Sequence, residues 1–179
     1  KLSRTELASD EIENIVKKSI KISPGRMEFE FALAQTEFLK NNFDGAIELL
    51  KQASLKNPNH PMPHWKIAQN YNFMGQTEKA IPYLEKALYL GHKPQISGEI
   101  LWAEKYYVRK EDYAKLIFVD EILLGFYGDN KPEQVRLHIN IAVAYAKLGR
   151  KDKAQEHANR IVEIDPAQKE AVDEFLRAL

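Results

Sequence analysis

Residues 43–59, with the sequence FDGAIELLKQASLKNPN, contain the pattern that the rest of the chain repeats. At residues 77–93 the chain reads TEKAIPYLEKALYLGHK, so that Ala80 takes the place of Ala46 (80 − 46 = 34). A third copy at residues 151–167, KDKAQEHANRIVEIDPA, has an alanine at the same point. Sequence periods of this length are typical of solenoids that stack one helical unit on the next. The repetition therefore predicts an all-α solenoid of antiparallel helix pairs.

Prolines follow the same period, because Pro24 to Pro58 and Pro132 to Pro166 each span 34 residues (58 − 24 and 166 − 132). Proline cannot continue a helix, so each one indicates a helix boundary. This frame divides the chain into a trailing helix of a partial or capping repeat (1–26), a first repeat (27–60), a second repeat (61–94), an irregular third repeat (95–134), a fourth repeat (135–168) and a C-terminal capping helix (169–179).

The two ends and the third repeat depart from the regular pattern. Residues 1–26 hold a trailing helix with a predicted cap at Asp10 but no leading helix, so we expect either a piece of a longer array or a natural capping helix. The third repeat is six residues longer than the others (132 − 92 = 40), and we expect a longer trailing helix over 111–126. In the last helix, Ala171, Phe175 and Leu179 are predicted to line one face.

The composition excludes several classes of function. Lys plus Arg equals Asp plus Glu at 26 each, so there is no net charge to attract nucleic acid or an acidic membrane surface. No cysteine is present, which excludes disulfides and thiolate chemistry. No apolar run approaches the roughly 18 residues that a spanning helix needs, so we expect no direct membrane insertion by this chain. The composition assigns no cellular compartment.

The repeated positions resemble the tetratricopeptide repeat family, in which a small residue follows an apolar one in the first helix and small or apolar residues recur through the second. The resemblance implies a right-handed superhelix in which the first helices line a concave groove that binds peptides or protein segments. The matching residues are Leu33, Ala34, Ala46, Leu50, Ala53, Ile67, Ala68, Tyr71, Ala80, Leu84, Ala87, Leu101, Ile141, Ala142, Tyr145, Ala154 and Ala158.

The first helices of this frame are rich in aromatic and amide side chains, and we interpret them as a peptide-binding groove. An alternative is that several rings pack as core between neighbouring repeats, since aromatic residues at helical spacing are mostly core. Self-association through the groove or an open repeat end is a further alternative, which would give a homo-oligomeric scaffold. The predicted groove residues are Phe31, Gln35, Phe38, Trp65, Gln69, Asn72, Phe73, Tyr106 and Tyr107.

Two narrower groups of repeat proteins bear on the kind of partner. The subclass of the family that clamps the acidic C-terminus of heat-shock chaperones uses Lys, Asn and Arg in its groove, and Lys66, Arg136 and Asn140 do not rebuild that clamp. The sequence of residues 22–53 and 57–71 also resembles the soluble repeat tails of bacterial O-antigen polymerase or ligase-like membrane proteins. That similarity implies an accessory domain of a polysaccharide enzyme as an alternative context.

No motif in the chain indicates an enzyme, a cofactor or a metal site. Glycine-rich phosphate loops and nucleophile elbows are absent from the sequence. His60 and His64 have a spacing that suits a metal ion, but Pro61 and Pro63 favour a turn that opens the next helix. His92, His138 and His157 have no fixed carboxylate or thiol companion, and Glu111, Asp112, Asp120 and Glu121 alternate with lysines as on a solvated helix face. We therefore interpret all of these side chains as packing or surface residues of a non-catalytic protein.

Overall fold

The computed structural model describes the backbone of residues 4–179 and the side chains of residues 11–179. In this range the chain forms only helices, turns and loops, which confirms the all-α class. Two short 3₁₀ turns, Ser97–Glu99 and Pro166–Gln168, precede the sixth and tenth helices. The α-helices are α1 (Arg4–Ile22), α2 (Glu28–Leu39), α3 (Phe43–Lys56), α4 (Pro61–Phe73), α5 (Thr77–Tyr89), α6 (Leu101–Lys110), α7 (Tyr113–Leu124), α8 (Lys131–Lys147), α9 (Lys151–Ile164) and α10 (Lys169–Ala178).

The chain divides into two compact units, residues 1–93 and residues 94–179. The first unit contains α1 to α5, and α2 packs on α3 as α4 packs on α5. In the second unit α6 packs on α7, α8 packs on α9, and α10 packs on α9. Each helix pair also contacts the next helix within its unit, as α3 contacts α4 and α7 contacts α8. This stacking of consecutive helix pairs is the predicted solenoid arrangement.

The alanines that define the sequence period are buried in the second helices of three helix pairs, α3, α5 and α9. Ala46, Ala80 and Ala154 are completely buried, as are Ala87 and Ala158 one to two turns later in the second helices. Because a methyl side chain occupies little space, the backbones of paired helices can approach closely at these positions. Larger residues such as Ile67, Leu84 and Ile141 fill the remaining volume and are also fully buried.

Residues in the left-handed backbone conformation end the first helix of every pair. Gly75 and Gly149 adopt φ values of +73° and +70°, a conformation that glycine takes without steric cost. Asn41 and Glu111 take the same conformation at φ +59° and +56° in the other two pairs. Asparagine tolerates this region, but glutamate pays a steric cost for its Cβ. In two of the four pairs the second helix begins with a side-chain cap, at Asn42 and at Asp112, whose carboxylate accepts a hydrogen bond from the Lys115 amide at 3.2 Å.

Three predicted helix features are wrong. Helix α1 begins at Arg4, so Asp10 lies inside the helix and not at its cap. Helix α7 ends at Leu124 after 12 residues, and the extra residues of the third repeat lie instead in the segments before α6 and before α8. In α10 the buried residue is Val172, which packs against α9 with Phe175 and Leu176, whereas Ala171 is exposed.

Candidate functional site

Three phenylalanine rings meet at one edge of the first unit, where three helix ends converge. Phe38 is near the end of α2, Phe43 begins α3, and Phe73 ends α4. Their ring centroids are 5.4 Å apart for Phe38 and Phe43, 5.5 Å for Phe38 and Phe73, and 5.1 Å for Phe43 and Phe73. Such distances are typical of favourable aromatic pairs. We call these three rings the phenylalanine cluster.

The phenylalanine cluster is anchored on its inner side and open on its outer side. Phe38 is half-buried and packs against the core formed by Ala34, Ala46 and their neighbours. Phe73, by contrast, exposes 66% of its surface. An aromatic ring that is held by two others and still exposed offers an apolar surface without the cost of reorganising the fold.

All three amide residues of the predicted groove lie within one helical turn of Phe38 or Phe73 in the phenylalanine cluster. Gln35 is exposed and precedes Phe38 by three residues in α2. Gln69 and Asn72 are half-buried in α4 and precede Phe73 by four residues and one residue. Residues three and four apart share a helix side, so Gln35 and Gln69 flank the exposed rings. This edge therefore combines apolar rings with amide groups.

Trp65 does not belong to this surface, which corrects the prediction. Its indole is only 3% exposed and stacks on the His92 ring at a centroid distance of 4.0 Å, with 30° between the planes. The imidazole at the end of α5 thus closes over a ring that the repeat pattern placed on the groove face. Phe31 is half-buried against the same core and lies 6.4 Å from the His60 ring, so it too is mainly a packing residue.

The two predicted tyrosines lie in the second unit, on α6. Tyr107 is 3% exposed, so it is core, as the alternative interpretation of the rings predicts. Tyr106 is half-buried and meets Tyr107 edge to face at 5.5 Å. The cationic groups of Arg109 and Lys110 lie 5.8 Å and 5.6 Å from the Tyr106 ring centroid. This arrangement favours a ring covered by cations over an open aromatic contact.

A buried polar network in the second unit was missed by the sequence analysis. Asp120, predicted on a solvated face, is completely buried in α7. Glu104 of α6 is also buried, forms an ion pair with Arg136 of α8 and accepts a hydrogen bond from the Asn140 amide at 3.0 Å. Arg136 and Asn140, considered above as clamp residues, are therefore engaged within the fold. Their separation from Glu104 by 32 and 36 residues hides the network from local patterns.

Burial controls the ionisation of this network. Neither carboxyl oxygen of Asp120 has a hydrogen-bond partner among the described side chains. Loss of hydration on burial, together with the charge of Glu104, raises the pKa of Asp120 to about 7, while Asn140 and Arg136 act in the opposite direction. Because Asp120 is fully buried, its carboxyl group is out of reach of a substrate in solution.

The structure also brings together two histidines that the sequence analysis treated separately. The Nδ1 atoms of His138 in α8 and His157 in α9 are 3.0 Å apart. Both side chains are half-buried between the paired helices, and burial lowers the pKa of each below the ordinary histidine value. A separation of 19 residues within one helical repeat was the signal that could have predicted this pairing.

Other features in the described part of the chain carry less chemistry. Among residues 11–179, no group of three or more His, Asp or Glu side chains is placed to hold a metal ion. Over the same described range, none of the helices has the length and apolar character required to cross a membrane. An apolar cleft of about 160 Å³ lies between α8, α9 and α10, lined mainly by Ile139, Val143, Val172 and Phe175.

Comparison with known proteins agrees with the observed architecture. Family models described as the tetratricopeptide repeat match residues 64–90 and 135–168, within the second and fourth predicted repeats. No curated protein matches the sequence, so the resemblance to O-antigen enzyme tails stays a prediction.

Solved structures with the same architecture have low sequence identity to the chain. A crystal structure of MamA is 19% identical, with a TM-score of 0.56, over 93% of this chain and 94% of that chain. The crystal structure of YrrB is 13% identical, with a TM-score of 0.56, and the match covers 96% of this chain and 84% of that chain. A chain in the structure of Naa15/Naa10 bound to HypK-THB is 16% identical, with a TM-score of 0.61, and the match covers 84% of this chain and 22% of that chain. The chain is therefore an all-α solenoid of stacked helix pairs that contains two tetratricopeptide repeats, matched at residues 64–90 and 135–168.

Proposed function

We propose that the chain is a non-catalytic protein-interaction module that binds an apolar segment of a partner protein at the phenylalanine cluster. The observation that carries this proposal is the exposure of Phe73, which is 66% exposed although two other rings hold it in place. Exposed aromatic surfaces that are rimmed by polar residues are typical of protein-binding sites.

The amides around the cluster define the kind of partner that would fit. The side-chain amides of Gln35 and Asn72 can both donate and accept hydrogen bonds, which suits the backbone of an extended peptide. The chain has equal numbers of acidic and basic residues, so the attraction would be short-range and not a long-range charge effect. The expected ligand is therefore a peptide segment with one or two large apolar side chains between hydrogen-bonding groups.

Proteins of similar fold support an interaction role. YrrB is described as a tetratricopeptide-repeat protein with an unusual peptide-binding site, and in another similar structure HypK-THB is bound to Naa15/Naa10. In this chain Trp65 and Tyr107 of the predicted groove are buried, so they are not available to a partner. The exposed ring of Phe73 supports the interaction role instead. The proposed contact is thus narrower than the predicted groove and lies at the helix ends of α2, α3 and α4.

A peptide selection with matched variants tests this proposal. Peptides selected on the intact protein from a random library should contain large apolar residues, and Phe73→Ala should weaken their binding by about tenfold. Covering the exposed part of one phenylalanine is worth roughly 1–2 kcal/mol, which corresponds to that change. Tyr89→Ala is the control, because Tyr89 is an 85% exposed ring of the same unit that lies outside the cluster. Binding is measured by fluorescence polarisation, and the melting temperature is recorded for each variant.

Equal weakening by both substitutions would contradict the proposal, since any exposed ring would then serve. A fall in the melting temperature of the Phe73→Ala protein with unchanged peptide affinity would assign the ring to packing. Light scattering distinguishes binding of a partner protein from the rival interpretation, in which the chain assembles with itself. A concentration-dependent dimer that Phe73→Ala converts to a monomer would show that the cluster binds a second copy.

A further inference from the structure

The fourth repeat places two imidazole nitrogens in contact across a helix pair. His138 projects from α8 and His157 from α9, and the Nδ1 atoms are 3.0 Å apart with ring centroids at 5.1 Å. The ring planes are inclined at 50°, so the rings are not stacked on one another. The nearest aromatic neighbour is Tyr145, whose ring centroid lies 5.6 Å from that of His157.

Two arrangements bring imidazole nitrogens this close. One is an N–H···N hydrogen bond, in which one ring donates and the other accepts. In the other, both lone pairs point toward a single cation. A metal ion holds imidazole nitrogens at about 2.0–2.1 Å, so two nitrogens bound at a right angle are about 2.9 Å apart. The observed separation matches this second arrangement without any movement of the helices.

We propose that His138 and His157 form a two-imidazole site for a divalent transition-metal ion, with Cu²⁺ or Ni²⁺ as the favoured ions. Right-angled coordination by nitrogen is the tetragonal geometry that these two ions prefer. Water or a ligand from solution would occupy the remaining positions, because each side chain is only partly buried. The ion would join α8 to α9 across the fourth repeat.

Charged groups of both signs lie around the pair: Lys153 and Arg160 disfavour a cation there, whereas Glu156 and Glu163 favour it. Lys153 and Arg160 are the neighbouring positive groups, and each is paired on α9 with a carboxylate, at 2.7 Å to Glu156 and 2.6 Å to Glu163. Metal ions bind the neutral form of imidazole, and burial, which lowers the pKa of both histidines, favours that form.

The second repeat provides an internal comparison, because the same positions occur 74 residues earlier. His64 corresponds to His138, Tyr83 to His157 and Tyr71 to Tyr145 (138 − 64, 157 − 83 and 145 − 71 all equal 74). His64 and Tyr83 are also neighbours across their helix pair, but their rings are stacked, with centroids 6.4 Å apart and 25° between the planes. Nδ1 of His64 is buried and has no hydrogen-bond partner among the described residues. In the three positions compared, the two repeats thus differ by one residue, a tyrosine in place of a histidine.

Metal titration of the untagged protein with paired variants tests the site. Calorimetry with NiCl₂ and with CuCl₂ at pH 7.5 should give one site per wild-type chain, and His157→Tyr should weaken it by at least about tenfold, since one of two ligands is lost. His157→Gln is the second variant, in case the larger ring disturbs packing. The reciprocal change, Tyr83→His, should raise the stoichiometry from one site to two. His60→Asn, which keeps a helix-capping residue, should leave the affinity unchanged.

Histidine side-chain NMR gives a readout that does not depend on stability. Paramagnetic Cu²⁺ should broaden the imidazole signals of His138 and His157 before those of the other three histidines. Equal binding by wild type and both His157 variants would overturn the proposal and indicate surface binding elsewhere. Absence of binding, together with a resolved Nδ1–H signal shared between the two rings, would also overturn it and assign the contact to a hydrogen bond.

Discussion

At the level of single residues, the carboxyl group of Asp120 makes the stability of the second unit depend on pH. Its pKa is about 7 in the folded chain, raised from 3.8 by burial and by the charge of Glu104. A group with a raised folded pKa binds its proton more tightly in the folded state, so its stabilising contribution is complete below pH 4. This contribution to the free energy of unfolding is lost as the pH rises through 7, and the total loss is at most roughly 4 kcal/mol.

Asp120→Asn should remove this dependence because the amide does not ionise. We expect the variant to be more stable than the wild type at pH 8 and not more stable at pH 5, as measured by urea unfolding at both values. Glu156→Gln is the control, since Glu156 is an exposed carboxylate in the same unit with a lowered pKa. If the difference between wild type and Asp120→Asn were the same at both pH values, Asp120 would not be the titrating group.

Individual side chains were also where sequence reasoning reached its limit. The repeat frame predicts helix pairs, but it does not give the environment of Trp65, Asp120 or His157. Trp65 is buried because His92 stacks on it, and Asp120 because α6 and α8 close around α7. Those contacts join residues that are distant in sequence, so periodicity alone does not specify them.

At the level of helices and turns, the left-handed residue that ends α6 is the least favourable choice in the series. Glycine or asparagine occupies the equivalent turns at Gly75, Gly149 and Asn41, whereas Glu111 adopts φ +56° with a full side chain. A glycine that follows a helical segment indicates this conformation directly in a sequence. Glutamate gives no such signal, and this is one reason why the third repeat was assigned wrong helix lengths.

Glu111→Gly should therefore stabilise the protein, since glycine adopts this conformation without a steric cost. We expect a gain of about 0.5–1 kcal/mol and a rise in melting temperature of roughly 2–4 °C. Gly75→Ala should have the opposite effect by a similar amount, because its φ is +73°. Glu111→Ala controls for loss of the carboxylate and should give no gain. Equal stabilisation by alanine and glycine would show that charge, and not backbone conformation, is responsible.

At the level of the whole molecule, the repeat period predicted the all-α solenoid, and the structure adds a division into residues 1–93 and 94–179. In a linear array each repeat contacts only its neighbours, so the period does not show where cooperativity is interrupted. The division predicts that damage to one unit stays mainly within it. Leu84 in α5 and Leu137 in α8 are fully buried residues of the first and second units and allow this to be tested.

Leu84→Ala should leave a cavity that costs roughly 2–5 kcal/mol, and the loss should be concentrated in the first unit. Native-state hydrogen exchange followed by mass spectrometry should show faster amide exchange in α2 to α5, with exchange in α8 and α9 changed by less than about 0.5 kcal/mol. Leu137→Ala should give the mirror result. An equal increase across both units for either variant would mean that the chain unfolds as one cooperative body, because local damage would then be shared by every helix.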